Sequence, residues 1–282
     1  MKLATFKADA GNTGELGAVE GDRVVALGAL ARDMQDLIAR WPTLEAEARR
    51  RAAAAERSFP LAGVKLQAPI AKSGKVMAIG LNYADHIAET GAQKPEHQTW
   101  FAKMANAING PYDDVVIPRL SHSVDYEAEL VAVIGTGGKH IAKADAKAAV
   151  FGYCCGNDVT EREWQKRVSQ WIVGKSCDTH APIGPWIVTA DEIPDPHSLG
   201  IRCKVNGETR QNSNTRNLIF DIWDQIAFLS EAMTLEPGDL LFTGTPDGVG
   251  MAMKPPRFLN DGDVVRVEID RLGAIEARFV RE

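Results

Sequence analysis

The sequence predicts an α+β protein in which a small N-terminal α/β unit precedes a larger, strand-rich domain. Three observations predict it. Apolar runs of strand length outnumber helical patterns along most of the chain. Those strands do not alternate regularly with helices, which disfavours a doubly wound parallel sheet. A proline-bearing connector, Ser58-Phe59-Pro60 followed by Ala68-Pro69-Ile70, separates residues 1–69 from residues 70–282.

The N-terminal unit opens with short strand-like runs punctuated by Gly11, Gly14, Gly17 and Gly21. Leu30, Met34, Leu37, Ile38 and Trp41 then recur at helical spacing, and Pro42 interrupts the pattern. From Leu44 to about Arg57 the chain is rich in Ala, Glu and Arg, as in an exposed helix. Arg49-Arg50-Arg51 sits among Glu45, Glu47 and Glu56, so it reads as a solvated helix face rather than a basic patch.

In the larger domain, Val76–Gly80, Leu130–Ile134, Trp186–Val188, Ile201–Val205, Leu240–Thr243 and Val264–Ile269 read as strands. Leu218–Met233 carries Ile219, Ile222, Trp223, Ile226, Leu229 and Met233 at helical spacing. Asn206-Gly207 is a hairpin signal, and Pro237-Gly238 and Asp261-Gly262 are turn signals.

A formal net charge of -6 disfavours nucleic acid and anionic lipid as partners. No apolar run reaches membrane-spanning length, and Met1–Phe6 lacks the apolar core of a signal peptide, so a cytoplasmic protein is expected. The four cysteines, Cys154, Cys155, Cys177 and Cys203, lack a C-x-x-C spacing and read as reduced, buried thiols.

The most informative stretch is Asp125-Tyr126-Glu127-Ala128-Glu129-Leu130-Val131-Ala132-Val133-Ile134. Strand alternation puts Asp125, Glu127 and Glu129 on one face with Val131 and Val133. Covered carboxylates on one face repel and pay desolvation, and a hard cation such as Mg²⁺ relieves both. The plain alternative is a strand end in solvent. Asp158, where a strand gives way to a helix, is the candidate third ligand; it could equally be an N-cap. Asp158, Arg162 and Gln165 fall at i, i+4 and i+7, a stripe suited to a carboxylate substrate or to a surface ion pair. His86 and Glu89 are three apart after the Val76–Gly80 strand, the spacing of an oriented general base or of surface decoration. Lys175, in Gly174-Lys175-Ser176-Cys177-Asp178, is a fixed cation for an oxyanion or a surface lysine. No zinc, nucleophile-elbow or nucleotide motif occurs.

In chain order, Gly80-Leu81-Asn82-Tyr83 with His86 and Glu89, Tyr126-Glu127-Ala128-Glu129-Leu130, Asn157-Asp158, Gly174–Thr179, Pro182-Ile183-Gly184-Pro185, Arg210-Gln211-Asn212 with Thr215, Pro237-Gly238-Asp239 and Gly244–Gly250 resemble the fumarylacetoacetate hydrolase family. The resemblance covers residues 70 to about 270. It implies a mixed β-roll fold, a Mg²⁺ or Mn²⁺ ion on Glu127, Glu129 and Asp158, and His86 with Glu89 on a lid, activating water. It further implies Lys175 and Thr245 against the substrate or its oxyanion, Arg162 and Gln165 on the substrate's polar groups, and a homodimer or homotetramer. Two departures are His180, where the family usually has an aromatic or aliphatic residue, and the absence of an asparagine in Ile275–Arg278. The activity implied first is metal-dependent C–C hydrolysis of a 2,4-dioxo acid, such as a 2,4-dioxo-3-deoxy sugar acid or an acylpyruvate, to pyruvate and a carboxylic acid. Oxaloacetate decarboxylation and 2-oxo-diene-acid isomerisation use the same site, and a non-catalytic ligand-binding relative is the alternative from another class.

Overall fold

The computed structural model describes residues 1–8, 14–91 and 93–282; Gly11 lies outside them. The fold is α+β, as expected. Its main sheet runs in the order Ser58–Pro60, Arg23–Ala26, Glu15–Glu20, Lys2–Lys7, Ala181–Thr189, Val150–Asn157, Ala128–Ile134, Leu240–Phe242, Val76–Gly80, Thr99–Lys103. Neighbours along this path are antiparallel except Leu240–Phe242 on Val76–Gly80. Strands from before residue 69 therefore extend the sheet of the larger domain, through Leu3 opposite Ile187. A second sheet, in the order Glu208–Asn214, Gly200–Val205, Val264–Ile269, Gly273–Arg281, Val115–Ile117, packs over the first.

The central strand, Ala128–Ile134, is buried along its whole length. Its side chains alternate between two cores. Ala128, Leu130, Ala132 and Ile134 join the apolar cluster between the sheets. Val131 and Val133 join the cluster beneath the N-terminal helices. This strand is paired on both edges, by Val150–Asn157 and Leu240–Phe242, so its end is a rigid mount for side chains.

Three helical expectations need correcting. Pro42 does not break a helix. It lies in the first turn of the Trp41–Ala54 helix, where its missing N–H costs nothing. The C-terminal helix is Ile222–Ala232, shorter than Leu218–Met233, because Asp221 caps it by accepting the Asp224 N–H. Asp158 lies outside the Arg162–Arg167 helix; Glu161 is its N-cap, accepting from Trp164 N–H at 2.6 Å.

Candidate active site

The carboxylate stretch is not one strand. It splits into Val124–Asp125 and Ala128–Ile134, with Tyr126 and Glu127 between them. The break turns Asp125 away from Glu127 and Glu129. Fully buried, Asp125 accepts from Arg162 Nε at 2.8 Å, Gly250 N–H at 2.8 Å and Met251 N–H at 3.0 Å. It fastens the glycine loop to Arg162 instead of joining the acidic cluster.

Glu127 is placed by its backbone. Its N–H donates to Asn157 Oδ1 at 3.0 Å, and its carbonyl accepts the Asp158 N–H at 2.9 Å. That exchange sets Asp158 beside it although the two are distant in sequence. Glu129, one residue into the strand, completes the group. Glu127, Glu129 and Asp158 are all buried, with potential ligand oxygens within 4.8 Å of one another.

Three cations surround these acids. Lys175 Nζ donates to Glu127 Oε2 at 2.7 Å and to Asp158 Oδ2 at 2.6 Å. Lys103 Nζ donates to Asp158 Oδ1 at 2.5 Å. Arg162 Nη2 lies 2.6 Å from Glu127 Oε1, off the line of a hydrogen bond, so its buried N–H has no acceptor among the described residues. Burial pushes the Glu127 carboxyl up, but Arg162 and Lys175 outweigh it and hold the group at about 2. Glu129 goes the other way: burial, then Asp158 and Glu127, raise its carboxyl well above the usual range. A divalent cation among these oxygens would remove that repulsion, and an all-carboxylate donor set suits Mg²⁺ or Mn²⁺. The residues present therefore fit such an ion.

A cavity of about 390 Å³ opens over the triad. Glu127, Glu129, Arg162, Gln165, Lys175, Thr245 and His86 line its polar end. Ile79, Leu81, Phe101, Trp171 and Met251 form an apolar wall. His86 sits on the Ala84–Thr90 helix, with Nδ1 3.3 Å from Glu89 Oε2. Glu89 Oε1 accepts the Gly248 N–H at 3.0 Å, and Asp85 accepts from Ser213 Oγ and from Asn217 Nδ2, so the helix is tied down over the cavity. Gln165 Oε1 accepts from Arg162 Nη1 at 3.2 Å. Thr245 Oγ1 accepts from Gln211 Nε2 at 2.9 Å, which leaves its own proton for a ligand. Lys175 ends the one-turn Ile172–Lys175 helix, and its ammonium lies 4.7 Å from the centre of the Phe101 ring.

Seven of the nine residues singled out from the sequence line one cavity; Glu89 stands behind His86 and Asp158 behind Lys175, each touching the wall residue in front of it. His180 is not at the wall either. It is buried elsewhere, its Nε2 2.9 Å from the Val116 carbonyl, so it does not reshape the pocket. Sequence reasoning missed Lys103, the Asp125 clamp, and the Phe101–Trp171 wall. The only signal for Lys103 was its alternation with Phe101 along the Thr99–Lys103 strand, which puts both on one side.

Comparison with known proteins supplies what geometry alone does not. Residues 75–280 match the family profile described as fumarylacetoacetate (FAA) hydrolase C-terminal. The chain is 46% identical over 253 residues to the mitochondrial oxaloacetate tautomerase Fahd2a of Rattus norvegicus, covering 89% of this chain and 81% of that protein. It is 42% identical over 288 residues to the mitochondrial oxaloacetate tautomerase FAHD2A of Homo sapiens, covering 99% and 92%. The crystal structure of maleylpyruvate hydrolase from Sphingobium sp. SYK-6, in complex with manganese(II) and pyruvate, superposes with a TM-score of 0.85 at 36% identity, covering 100% of this chain and 99% of that one.

Proposed function

From the premise that the chain belongs to the fumarylacetoacetate hydrolase family, whose members are enzymes acting on small molecules, we propose that it is a divalent-metal-dependent enzyme that moves a proton beside the carbonyl of a 2-oxo acid, interconverting the keto and enol forms of an oxaloacetate-type diacid. The observation that carries this is one cavity in which His86, backed by Glu89, faces Glu127 and Glu129 of the acidic triad and the buried Lys175.

Glu127, Glu129 and Asp158 would hold Mg²⁺ or Mn²⁺, which supplies Lewis-acid polarisation of the 2-oxo group when bound. Arg162 Nη2 and Gln165 anchor the C1 carboxylate. Glu89 orients the His86 ring through Nδ1, and with the proton on Nδ1 the other nitrogen, Nε2, is the basic one. His86 takes a proton from C3; the C–H electron pair becomes the C2–C3 double bond, the C2–O π pair moves onto the 2-oxygen, and that oxygen takes up the proton His86 gives back. Lys175 faces that oxygen and steadies the charge that builds on it. The reverse sequence regenerates the ketone, so no water and no other co-reactant is consumed. Decarboxylation of oxaloacetate would pass through a related enolate, formed as the C3–C4 bond breaks and CO2 leaves and then protonated at C3, and isomerisation of a 2-oxo-diene acid would move a proton from one carbon to another.

A second reading is C–C hydrolysis of a 2,4-dioxo acid to pyruvate and a carboxylic acid. The size of the cavity and its apolar wall favour it, because a four-carbon diacid fills only part of the space. Here His86 would deprotonate water for attack on C4.

Two assays separate the readings, each run with Mg²⁺ and with EDTA. The first follows ketonisation of the enol of oxaloacetate by ultraviolet absorbance; the second follows pyruvate release from acylpyruvates and 2,4-dioxo-3-deoxy sugar acids. Metal-dependent acceleration of the first with little pyruvate release is the expected result. Fast pyruvate release from the dioxo acids would replace the tautomerase reading with the hydrolase, and silence in both would remove the enzymatic reading.

A further inference from the structure

Each acid of the triad has one oxygen already held by the protein. Glu129 Oε2 accepts the Gly244 N–H at 2.7 Å. Glu127 Oε1 is paired with Arg162 Nη2 at 2.6 Å. Asp158 Oδ1 accepts from Lys103 Nζ at 2.5 Å. Of the remaining oxygens, Glu127 Oε2 and Asp158 Oδ2 share Lys175 Nζ.

Asp158 is thus gripped on both oxygens by ammonium groups, but the two lysines differ. Lys175 lines the cavity, where a bound ion or substrate would meet it. Lys103 is not part of the wall. Its side chain has 0% exposure, and among the described residues its only other hydrogen bond runs to the Val159 carbonyl at 3.2 Å. A fully buried ammonium is costly unless its partners are well placed. Here both partners belong to the segment that carries Asp158, so Lys103 holds that carboxylate from behind by backbone and side chain together.

We propose that Lys103 is a positioning residue that lets Asp158 present a single oxygen to the cation, and that this makes the site select Mg²⁺ and Mn²⁺ over Ca²⁺. The inference rests on the metal reading of the triad given above. Mg²⁺ demands near-octahedral geometry and takes carboxylates one oxygen at a time beside retained waters. Ca²⁺ takes six to eight oxygens and readily accepts a carboxylate through both. Three acids that each have one oxygen tied to the protein leave a set of single-oxygen ligands, which suits the smaller ions. Without Lys103, Asp158 can rotate and offer both oxygens, and the larger ion gains.

The test is equilibrium binding of Mn²⁺ to the metal-free full chain, followed by the electron paramagnetic resonance signal of the free ion, with Mg²⁺ and Ca²⁺ as competitors. Wild type is compared with Lys103→Met, and circular dichroism and melting confirm the fold of each. The Mn²⁺-to-Ca²⁺ affinity ratio is the readout, since loss of a positive charge alone strengthens every dication alike. Wild type is expected to prefer Mn²⁺ and Mg²⁺, and Lys103→Met to narrow the ratio by about tenfold, the size of a typical effect from residues that hold metal ligands in place. An unchanged ratio in a folded Lys103→Met chain overturns the positioning role. If that chain does not fold, Lys103→Gln takes its place, and the wild-type titration still decides: Ca²⁺ bound as tightly as Mn²⁺ overturns the selectivity. No dication bound at all overturns the metal reading itself, a distinct failure.

Discussion

His86 reaches the cavity because a helical turn follows a buried strand, and Glu89 reaches His86 because the two are three residues apart on that turn. Replacing His86 by alanine is expected to lower turnover by about a hundredfold to ten-thousandfold, the range for a lost general base, while Mn²⁺ affinity stays nearly constant. Steady-state kinetics beside metal titration check this; equal loss of both would make His86 a ligand or a structural group. At this scale the sequence was legible where chemistry repeats with the backbone period. Glu127 and Glu129 announce themselves by sharing a strand face with valines, and Val131 and Val133 do lie on that face in the core. Asp125 obeyed the same period and yet left the cluster, because the strand breaks at Tyr126–Glu127, which alternation cannot show. Lys103 carried only its alternation with Phe101, which puts it on one strand face but says nothing of a role until Asp158 arrives from a distant segment.

Between elements, contact is set by what is missing as much as by what is present. The Val76–Gly80 strand ends on a glycine against which the Trp171 ring packs; a Cβ there would lie 2.6 Å from Trp171 Cζ3. Trp171 also caps the short helix that ends in Lys175 and stacks tilted on Phe101, with ring centroids 5.4 Å apart. Gly80→Ala therefore pushes on the mount of Lys175. The expected result is a loss of about 1–3 kcal/mol in stability, as for other overpacked sites, together with weaker substrate binding. Denaturant unfolding and KM measure the two; wild-type values of both would show that the ring simply steps aside. Strand positions in the larger domain were readable from apolar runs, since burial on both faces leaves them nearly continuous. Helix ends were less so, because caps such as Asp221 and Glu161 are ordinary acids until the N–H they accept is known.

For the whole molecule, sheet order was beyond the sequence. Leu3 opposite Ile187 and Leu240 opposite Val76 are pairings whose partners share no local signal. The assembled core also sets how the protein meets acid. Burial holds the His180 imidazole down, from 6.5 to about 4, against the Val116 carbonyl that favours the charged form. The folded state thus binds this proton less readily than the unfolded chain. The stability His180 contributes is complete above pH 6.5, falls by about 1.4 kcal/mol per unit as pH drops toward 4, and is constant below. Denaturant melts between pH 7 and 4 should show this slope and lose it in His180→Gln; an equal slope in both would assign the acid sensitivity to other groups. Finally, the single carboxylate of Glu89 grips the Gly248 N–H with one oxygen and the His86 ring with the other. Swinging the Ala84–Thr90 helix outward would break the Gly248 contact and carry His86 and Glu89 off the cavity together, in the same motion that admits solvent. For the proposed proton transfer the arrangement would work as a safety interlock: with the helix away from the cavity, His86 could not reach a bound substrate, so the enol would not form in the open.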